Sequence, residues 1–170
     1  IKKIMFGGDQ EFGLRPGTEN TTLAVGLAKA LQVVEKIKEK EVKRLIILRN
    51  YFFNQLLHSN ILTNFRMIIN GDLEIRLPNN VNITFPKILS DLLVIELSAK
   101  GIMASSKSAC KSSKTESSYV IQALRNKIGL PAEALAEEGG VRFSLGRSTN
   151  KKDIDYTVKV LSKILTKLKK

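Results

Sequence analysis

The chain contains one cysteine, Cys110, and the residues around it are small or cationic. Lys107, Lys111 and Lys114 surround the thiol, and the apolar run before it ends at Met103. Free cysteine has a pKa of about 8.5, and nearby cations lower that pKa because they favour the nucleophilic thiolate. A lone cysteine is otherwise most often a small buried hydrophobic residue, and composition alone leaves the two interpretations balanced. The segment is therefore a candidate site for a reactive thiolate.

The dipeptide Gly17-Thr18 is a second candidate, because it comes at the start of a predicted helix. Free N–H groups at a helix N-terminus, together with a hydroxyl, form an anion site that suits a phosphate. The simpler interpretation is that Thr18 or Asn20 only caps the helix. The residues alone favour capping.

His58 is the only histidine of the chain. It is predicted to end a helix, with no aspartate or glutamate close to it in sequence, and we reject a general acid/base role for it. The sequence also has no cluster of metal-ligand residue types. No metal site is predicted.

Composition favours a folded chain with a basic surface. The 170 residues include 43% hydrophobic residues, enough for a substantial core, and the formal net charge is +12. Such a charge can attract an acidic protein, nucleic acid or anionic lipid. The interleaved acids and bases of Lys36–Arg44 instead favour solvated helix faces, and the aromatic content of 6% argues against a nucleic-acid partner.

No stretch is long and apolar enough to span a bilayer, and the opening residues lack the apolar run of a signal peptide. One cysteine cannot form an internal disulfide, and a working thiol needs a reducing compartment. We therefore expect a cytoplasmic protein that makes no membrane contact.

Hydrophobic periodicity predicts the elements that would position these residues. A short strand at Ile102–Ala104 is expected to lead directly into the segment of Cys110 and to anchor the thiol at one end. The other predicted elements are a helix with Leu23, Leu27, Leu31 and Val34 on one face, a helical run from Leu45 to His58, strands at Phe65–Asn70 and Val81–Phe85, a helix at Asp91–Lys100 capped by Ser90 and stopped by Gly101, a helix from about Ser117 to Lys127, a strand at Val141–Leu145, and a terminal helix with Ile154, Val158, Leu161, Leu165 and Leu168 on one face.

Five segments carry motifs in a fixed order. They are Gly7–Asn20, Leu77–Pro86, Ser105–Cys110, Glu116–Val120 and Val141–Arg147. Their order and spacing resemble those of the NifS/IscS-type cysteine desulfurases, class-V aminotransferases, and the interval from Cys110 to Glu116 resembles the long-loop branch. The resemblance covers nearly the whole chain.

The resemblance implies an α/β fold, the small C-terminal domain of a fold-type-I transferase that depends on pyridoxal 5'-phosphate (PLP). Residues 1–42 would be the tail of the large domain, and residues 43–170 the small domain that carries the cysteine loop. In the family, the lysine that binds PLP lies in a segment upstream of the first motif, and no His-Lys pair occurs in this chain. The chain therefore resembles the C-terminal portion of a desulfurase, and alone it is expected to be inactive.

The same resemblance implies roles for single residues. Cys110 would take sulfur from L-cysteine as a persulfide, leaving L-alanine, and pass it to an acceptor or scaffold protein for iron–sulfur cluster or thiolated-nucleotide synthesis. Arg142 would bind the substrate carboxylate through its guanidinium fork. Arg147 would be a structural ion-pair partner. In a homodimer, Gly17 and Thr18 would contact the phosphate of the partner subunit's PLP.

Some positions depart from the family pattern. Lys107 replaces a usual glycine before the thiol, Asp9 replaces a glycine of the first motif, and Lys151 and Lys152 stand where acids usually begin the last helix. Three alternatives stay open: a non-enzymatic persulfide carrier, a subunit that complements a separate PLP-binding half, and a basic interaction module.

Overall fold

The computed structural model describes residues 2–106, 120–121, 123–124 and 140–169. Backbone contacts divide the chain into two units, Ile1–Glu39 and Lys40–Lys170. Cys110 and most of the predicted helix from Ser117 lie outside the described residues. The elements whose bounds fall within the described ranges are a 3₁₀ turn (Glu11–Gly13), α1 (Thr21–His58), α2 (Ile61–Phe65), β1 (Ile68–Ile69), β2 (Asn80–Thr84), α3 (Ser90–Ser98), β3 (Val141–Ser144) and α4 (Lys151–Leu168).

Helix α1 joins two helical runs that the sequence predicts separately. Its charged middle is compatible with a helix because opposite charges stand three residues apart, as in the ion pair of Glu41 with Arg44 at 2.7 Å. The hydrogen bond from Arg44 holds the pKa of the Glu41 carboxyl below its usual range. The buried side chains of α1 all lie in its last third: Leu48, Arg49, Phe52, Phe53 and Leu56.

The three strands form an antiparallel sheet in the order β1-β2-β3. The register pairs Val81 with Phe143 and Ile83 with Val141, and all four side chains are buried. Paired residues share a face of the sheet, so these four make one face apolar. The ring of Phe52 packs edge-on against Phe143 at 5.3 Å between centroids, which places α1 on that face.

Helices α3 and α4 complete the core, and α3 contacts both α4 and β3. The side chains with the least exposure come from every layer: Phe52, Leu56, Ile61, Val81, Ile83, Leu93, Leu97, Val141, Ile154, Leu161 and Leu165. None of the helices in the described part of the chain combines the length and the apolar character needed to cross a membrane.

The prediction of a strand from Phe65 is wrong. Phe65 ends helix α2, and Arg66 adopts a left-handed backbone with φ of 50° that turns the chain into the two-residue strand β1. Ile61, only 1% exposed, anchors α2 in the core. Burial of the Ile61 side chain stabilises helix α2. The local sequence propensity of the segment does not indicate this burial.

Ser90 does not cap α3 as predicted. It is the first helical residue, 3% exposed, and its hydroxyl has no hydrogen-bond partner in the described structure. The predicted stop at Gly101 is confirmed: its φ of 75° is left-handed, and the N–H of Ile102 donates to the carbonyl of Leu97 at 3.0 Å.

Helix α4 begins with a capping box. The side chain of Asn150 accepts from the N–H of Asp153, and the Asp153 carboxylate accepts from the N–H of Asn150. The negative charge of Asp153 offsets the two lysines of the first turn, and Lys151 also lies 5.0 Å above the ring of Tyr51. The Tyr51 hydroxyl donates to the Asp155 carboxylate at 2.6 Å, and this bond raises the pKa of Tyr51.

The loop between β1 and β2 is held by Arg76. Its guanidinium lies 4.9 Å from the centroid of Phe53 and donates to the carbonyls of Asp72, Asn70 and Asn80. Burial lowers the pKa of Arg76 because it disfavours the charged form.

Arg76→Met is expected to lower the free energy of unfolding by about 2–3 kcal/mol, since it keeps the apolar stem but loses the charged hydrogen bonds and the ring contact. Urea denaturation followed by circular dichroism measures this. Lys159→Met, on the exposed side of α4, is the control and should change stability little. Equal losses in both variants would contradict the role given to Arg76.

Candidate functional site

Strand β3 presents Arg142 on the solvent side of the sheet. Burial alternates along the strand, with Val141 and Phe143 buried and Arg142 and Ser144 exposed. The period of two residues in a strand causes this alternation. The guanidinium is therefore accessible to a ligand while its neighbours anchor the backbone in the core.

The backbone of Arg142 is fixed from both sides. On one side Asn82 of β2 is its register partner. On the other side, the N–H of Arg142 donates to the carbonyl of Ser105 at 2.8 Å, and the N–H of Ser105 donates back at 3.0 Å. The sequence predicts a strand at Ile102–Ala104, and the structure instead forms a single bridge at Ser105.

This bridge brings together two motifs that are far apart in sequence. Ser105 begins the motif that ends at Cys110, and Arg142 belongs to the last motif. Cys110 and its surrounding lysines lie outside the described residues, so their distance from Arg142 stays a prediction. The start of the cysteine segment lies beside Arg142.

A polar cluster that the sequence reasoning missed lies next to Arg142. The side-chain amide of Asn70 donates to Asn82 Oδ1 at 2.8 Å and to Thr84 Oγ1 at 2.9 Å. Asn70 is 8% exposed, so this buried amide gains partners that it could not obtain from water. The only signal in the sequence is that Asn82 and Thr84 alternate with apolar residues in the second motif.

Gly140, directly before β3, packs against this cluster. A Cβ atom at this position would lie 2.6 Å from Asn82 Oδ1 and 2.9 Å from Asn70 Nδ2. Both distances are shorter than a carbon–heteroatom contact allows. The cluster and Gly140 thus fix the position at which β3 starts, two residues before Arg142.

Gly140→Ala is expected to destabilise the chain by about 1–3 kcal/mol, because the added methyl group overpacks the site. Asn82→Ala removes the closest contact, so the same glycine substitution in that background should cost at least about 0.5 kcal/mol less. Denaturant unfolding of the four proteins measures the coupling.

Gly26→Ala is the matched control for this cycle, because a Cβ there meets nothing within 4 Å. In the second turn of α1 it should leave stability unchanged or raise it by up to about 1 kcal/mol. If Gly140→Ala behaves like Gly26→Ala, the close packing at Gly140 does not control the strand.

Gly17 and Thr18 lie in an exposed loop of the first unit. Helix α1 begins at Thr21 and not at these residues, and Asn20 caps it by accepting from the N–H of Leu23 at 2.9 Å. The guanidinium of Arg15 donates to the carbonyls of Gly17 and Thr18 at 3.2 and 3.3 Å. The N–H of Gly17 donates to Gln10 Oε1 at 3.1 Å, so that amide is already bonded.

Arg147 is exposed in the turn after β3. Its charge contributes to the lowered pKa of Glu41, but the larger cause is the hydrogen bond of Glu41 with Arg44. Arg44 also donates to the carbonyls of Gly146 and Thr149 at 2.9 and 2.7 Å. Arg44 thus makes the direct contacts in this region.

The ring of His58 contacts the backbone of its own helix. Nδ1 of His58 lies 2.8 Å from the carbonyl of Asn54, one turn back in α1, which accounts for the ring without an acid/base role. Within the described ranges, no group of three His, Cys, Asp or Glu side chains could hold a metal ion.

The sequence profile described as aminotransferase class-V matches residues 7–157. The chain belongs to the class-V aminotransferase family. A curated relative, cysteine desulfurase IscS of Dictyoglomus turgidum, is 36% identical over 99% of this chain and 40% of its own length. Cysteine desulfurase IscS of Methanosarcina thermophila is 38% identical over 99% of this chain and 39% of its own length.

Solved structures agree with this assignment to the class-V aminotransferases. A NifS-like protein superimposes with a TM-score of 0.73 at 28% identity, over 99% of this chain and 40% of its own. A NifS-like protein from Rickettsia africae shares the fold, with a TM-score of 0.74 at 22% identity, over 98% of this chain and 40% of its own. The chain thus spans about 40% of the length of the relatives it matches. The family resemblance and the fold class predicted from sequence are confirmed.

Proposed function

We propose that this chain is part of a PLP-dependent cysteine desulfurase that converts L-cysteine to L-alanine and transfers the sulfur through Cys110 to an acceptor protein. One observation carries the proposal. Arg142 is exposed, its backbone is fixed between two neighbours, and the segment that leads to Cys110 starts beside it. The relatives named cysteine desulfurase support this reading.

Arg142 would orient the substrate. A guanidinium fork binds an α-carboxylate through two parallel hydrogen bonds, which fix its direction as well as its charge. Because Gly140, Asn82 and Ser105 hold the backbone of β3, the arginine needs to order only its side chain when it binds. This placement favours a preorganised carboxylate site.

Cys110 would receive the sulfur. Its three neighbouring lysines favour the thiolate, which is the form that attacks the sulfur of the substrate. The sulfur is then held as a persulfide on Cys110 until a thiol of the acceptor takes it. Such a thiol works only in a reducing compartment, which suits the cytoplasm.

Gly17 and Thr18 fit the phosphate of PLP in part. The exposed hydroxyl of Thr18 is a donor, and the cation of Arg15 lies beside it at the carbonyl of Thr18. The N–H of Gly17 is bonded to Gln10, so Thr18 is the better ligand of the pair. In the complete enzyme Gly17 and Thr18 would contact the partner subunit's PLP. Residues 1–42 would belong to the large domain and residues 43–170 to the small domain. PLP, when bound, supplies the electron sink for cleavage of the substrate C–S bond.

The test combines the chain with the remaining part of a class-V relative, by fusion or coexpression, and supplies PLP and L-cysteine. Mass spectrometry of peptides should find one added sulfur atom on Cys110, removable by a reductant, together with formation of alanine. A persulfide on Cys110 that forms only when a second, active cysteine desulfurase is added would favour a carrier. The absence of both with PLP bound would overturn the proposal.

A further inference from the structure

A groove lined by basic and apolar residues lies on the second unit, away from Arg142. It is a cavity of about 330 Å³ where the end of α2, the loop before α3 and the end of α4 meet. Its lining consists of Asn64, Phe65, Arg66, Pro86, Lys87, Ile88, Leu168 and Lys169. A neighbouring depression shares Asn64, Phe65 and Lys169 and adds Thr166.

The charge of the basic groove is positive. Arg66, Lys87 and Lys169 line it, and none of its described lining residues is acidic. Lys169 is held at the edge by neutral groups: its Nζ donates to the carbonyl of Asn64 at 3.0 Å and lies 5.3 Å from the ring centroid of Phe65. The nearby Lys167 differs, because Glu96 pairs with it at 2.8 Å. The positive charge that a ligand can complement is therefore that of Arg66 and Lys169.

Two of these cations stand at backbone positions that are unusual for them. Arg66 and Lys87 have φ values of 50° and 69°, and they are the non-glycine residues with left-handed backbones in the described part of the second unit. Such positions usually carry glycine or asparagine. Here both carry long cationic side chains at one cavity.

The floor of the basic groove is apolar. Ile88 is buried, and Phe65 and Leu168 are half-buried. A free phosphate would use the cations but leave this floor in water. A ligand with both carboxylates and a large apolar side chain would satisfy both parts.

We propose that the basic groove binds an acidic peptide segment of a protein partner, with a leucine or phenylalanine on the apolar floor and flanking carboxylates facing Arg66 and Lys169. The cations beside an apolar floor favour a peptide over a single small anion, which would contact the cations alone. The proposal concerns a surface apart from Arg142 and does not rest on the proposed desulfurase activity.

Fluorescence anisotropy of this chain with a labelled peptide of sequence Glu-Asp-Leu-Phe-Asp-Glu tests the proposal. We expect binding that is at least about tenfold tighter than for the same peptide with serine in place of leucine and phenylalanine. Oligothymidylate of equal charge is the competitor, and displacement of the peptide at equal or lower concentration would overturn the proposal in favour of nucleic acid.

The double variant Arg66→Asn with Lys169→Gln removes two charges, and asparagine tolerates the left-handed backbone of residue 66. It should weaken peptide binding by about tenfold or more. The control Lys159→Gln with Lys163→Gln removes two exposed charges from α4 and should change affinity by less than about threefold. An equal loss of peptide affinity in both double variants would show that the peptide is attracted by positive charge in general. The proposed binding site in the basic groove would then be wrong.

Methyl NMR of the chain without substitutions tests directly whether the peptide contacts the basic groove. Shifts of Ile88 and Leu168 on addition of the peptide, with those of Leu48 unchanged, would support the site. Shifts spread over the other methyl groups while Ile88 and Leu168 stay constant would exclude it.

Discussion

Replacing Cys110 by serine in the complemented enzyme is expected to abolish sulfide release while L-cysteine still binds. The serine hydroxyl is somewhat smaller than the thiol and is a poor nucleophile at neutral pH, because almost none of it is ionised. Loss of a catalytic nucleophile costs on the order of 10³-fold in turnover or more. Sulfide release measures the chemistry, and a spectroscopic titration of bound PLP with cysteine measures binding.

Ser112→Ala is the control for this substitution, since it changes a small residue in the same segment and keeps the thiol. It should retain most of the sulfide release. Turnover by Cys110→Ser within a few-fold of the unsubstituted enzyme would show that another group takes the sulfur, and Cys110 would lose its proposed role.

Arg142→Ala is expected to weaken the binding of L-cysteine by about 2–5 kcal/mol, the cost of losing a charge-assisted bidentate contact. The reactivity of the Cys110 thiol toward an alkylating reagent should not change, which separates binding from chemistry. Arg142→Lys should recover only part of the affinity, because an ammonium lacks the planar fork. The dissociation constant of cysteine is the quantity to measure.

Arg147→Ala is the matched control, since it removes an exposed arginine from the turn after the same strand. It should leave cysteine affinity nearly unchanged. If Arg147→Ala weakens binding and Arg142→Ala does not, the carboxylate ligand is Arg147 and the motif has been carried over to the wrong residue.

The sequence predicted well those elements whose patterns are local. Val141–Ser144 alternates apolar and polar residues, and the apolar residues of α4 recur at helical spacing, so periodicity alone locates both. The start of α4 is less clear from the sequence, because Lys151 and Lys152 oppose the helix dipole. Asn150 and Asp153 resolve this through a capping box visible in the sequence.

The features that the sequence did not predict are contacts between residues that lie far apart along the chain. The bond between Ser105 and Arg142, and the packing of Gly140 against Asn70 and Asn82, join positions separated by tens of residues. The same holds for Ser90, whose hydroxyl turns into the core where a cap was expected. Periodicity and capping rules describe neighbours along the chain, so they identify Arg142 only through the motif that contains it.

The pair of Tyr51 and Asp155 gives this protein an intrinsic optical reporter. The chain has no tryptophan and three tyrosines, so tyrosine dominates its ultraviolet emission. A phenol that donates to a carboxylate, as Tyr51 does to Asp155 at 2.6 Å, emits weakly because the excited hydroxyl passes its proton to the acceptor. When α4 leaves α1 the donor and acceptor separate, and the emission of Tyr51 rises. The undocking of the last helix can thus be followed by tyrosine fluorescence in these 170 residues, without an introduced label.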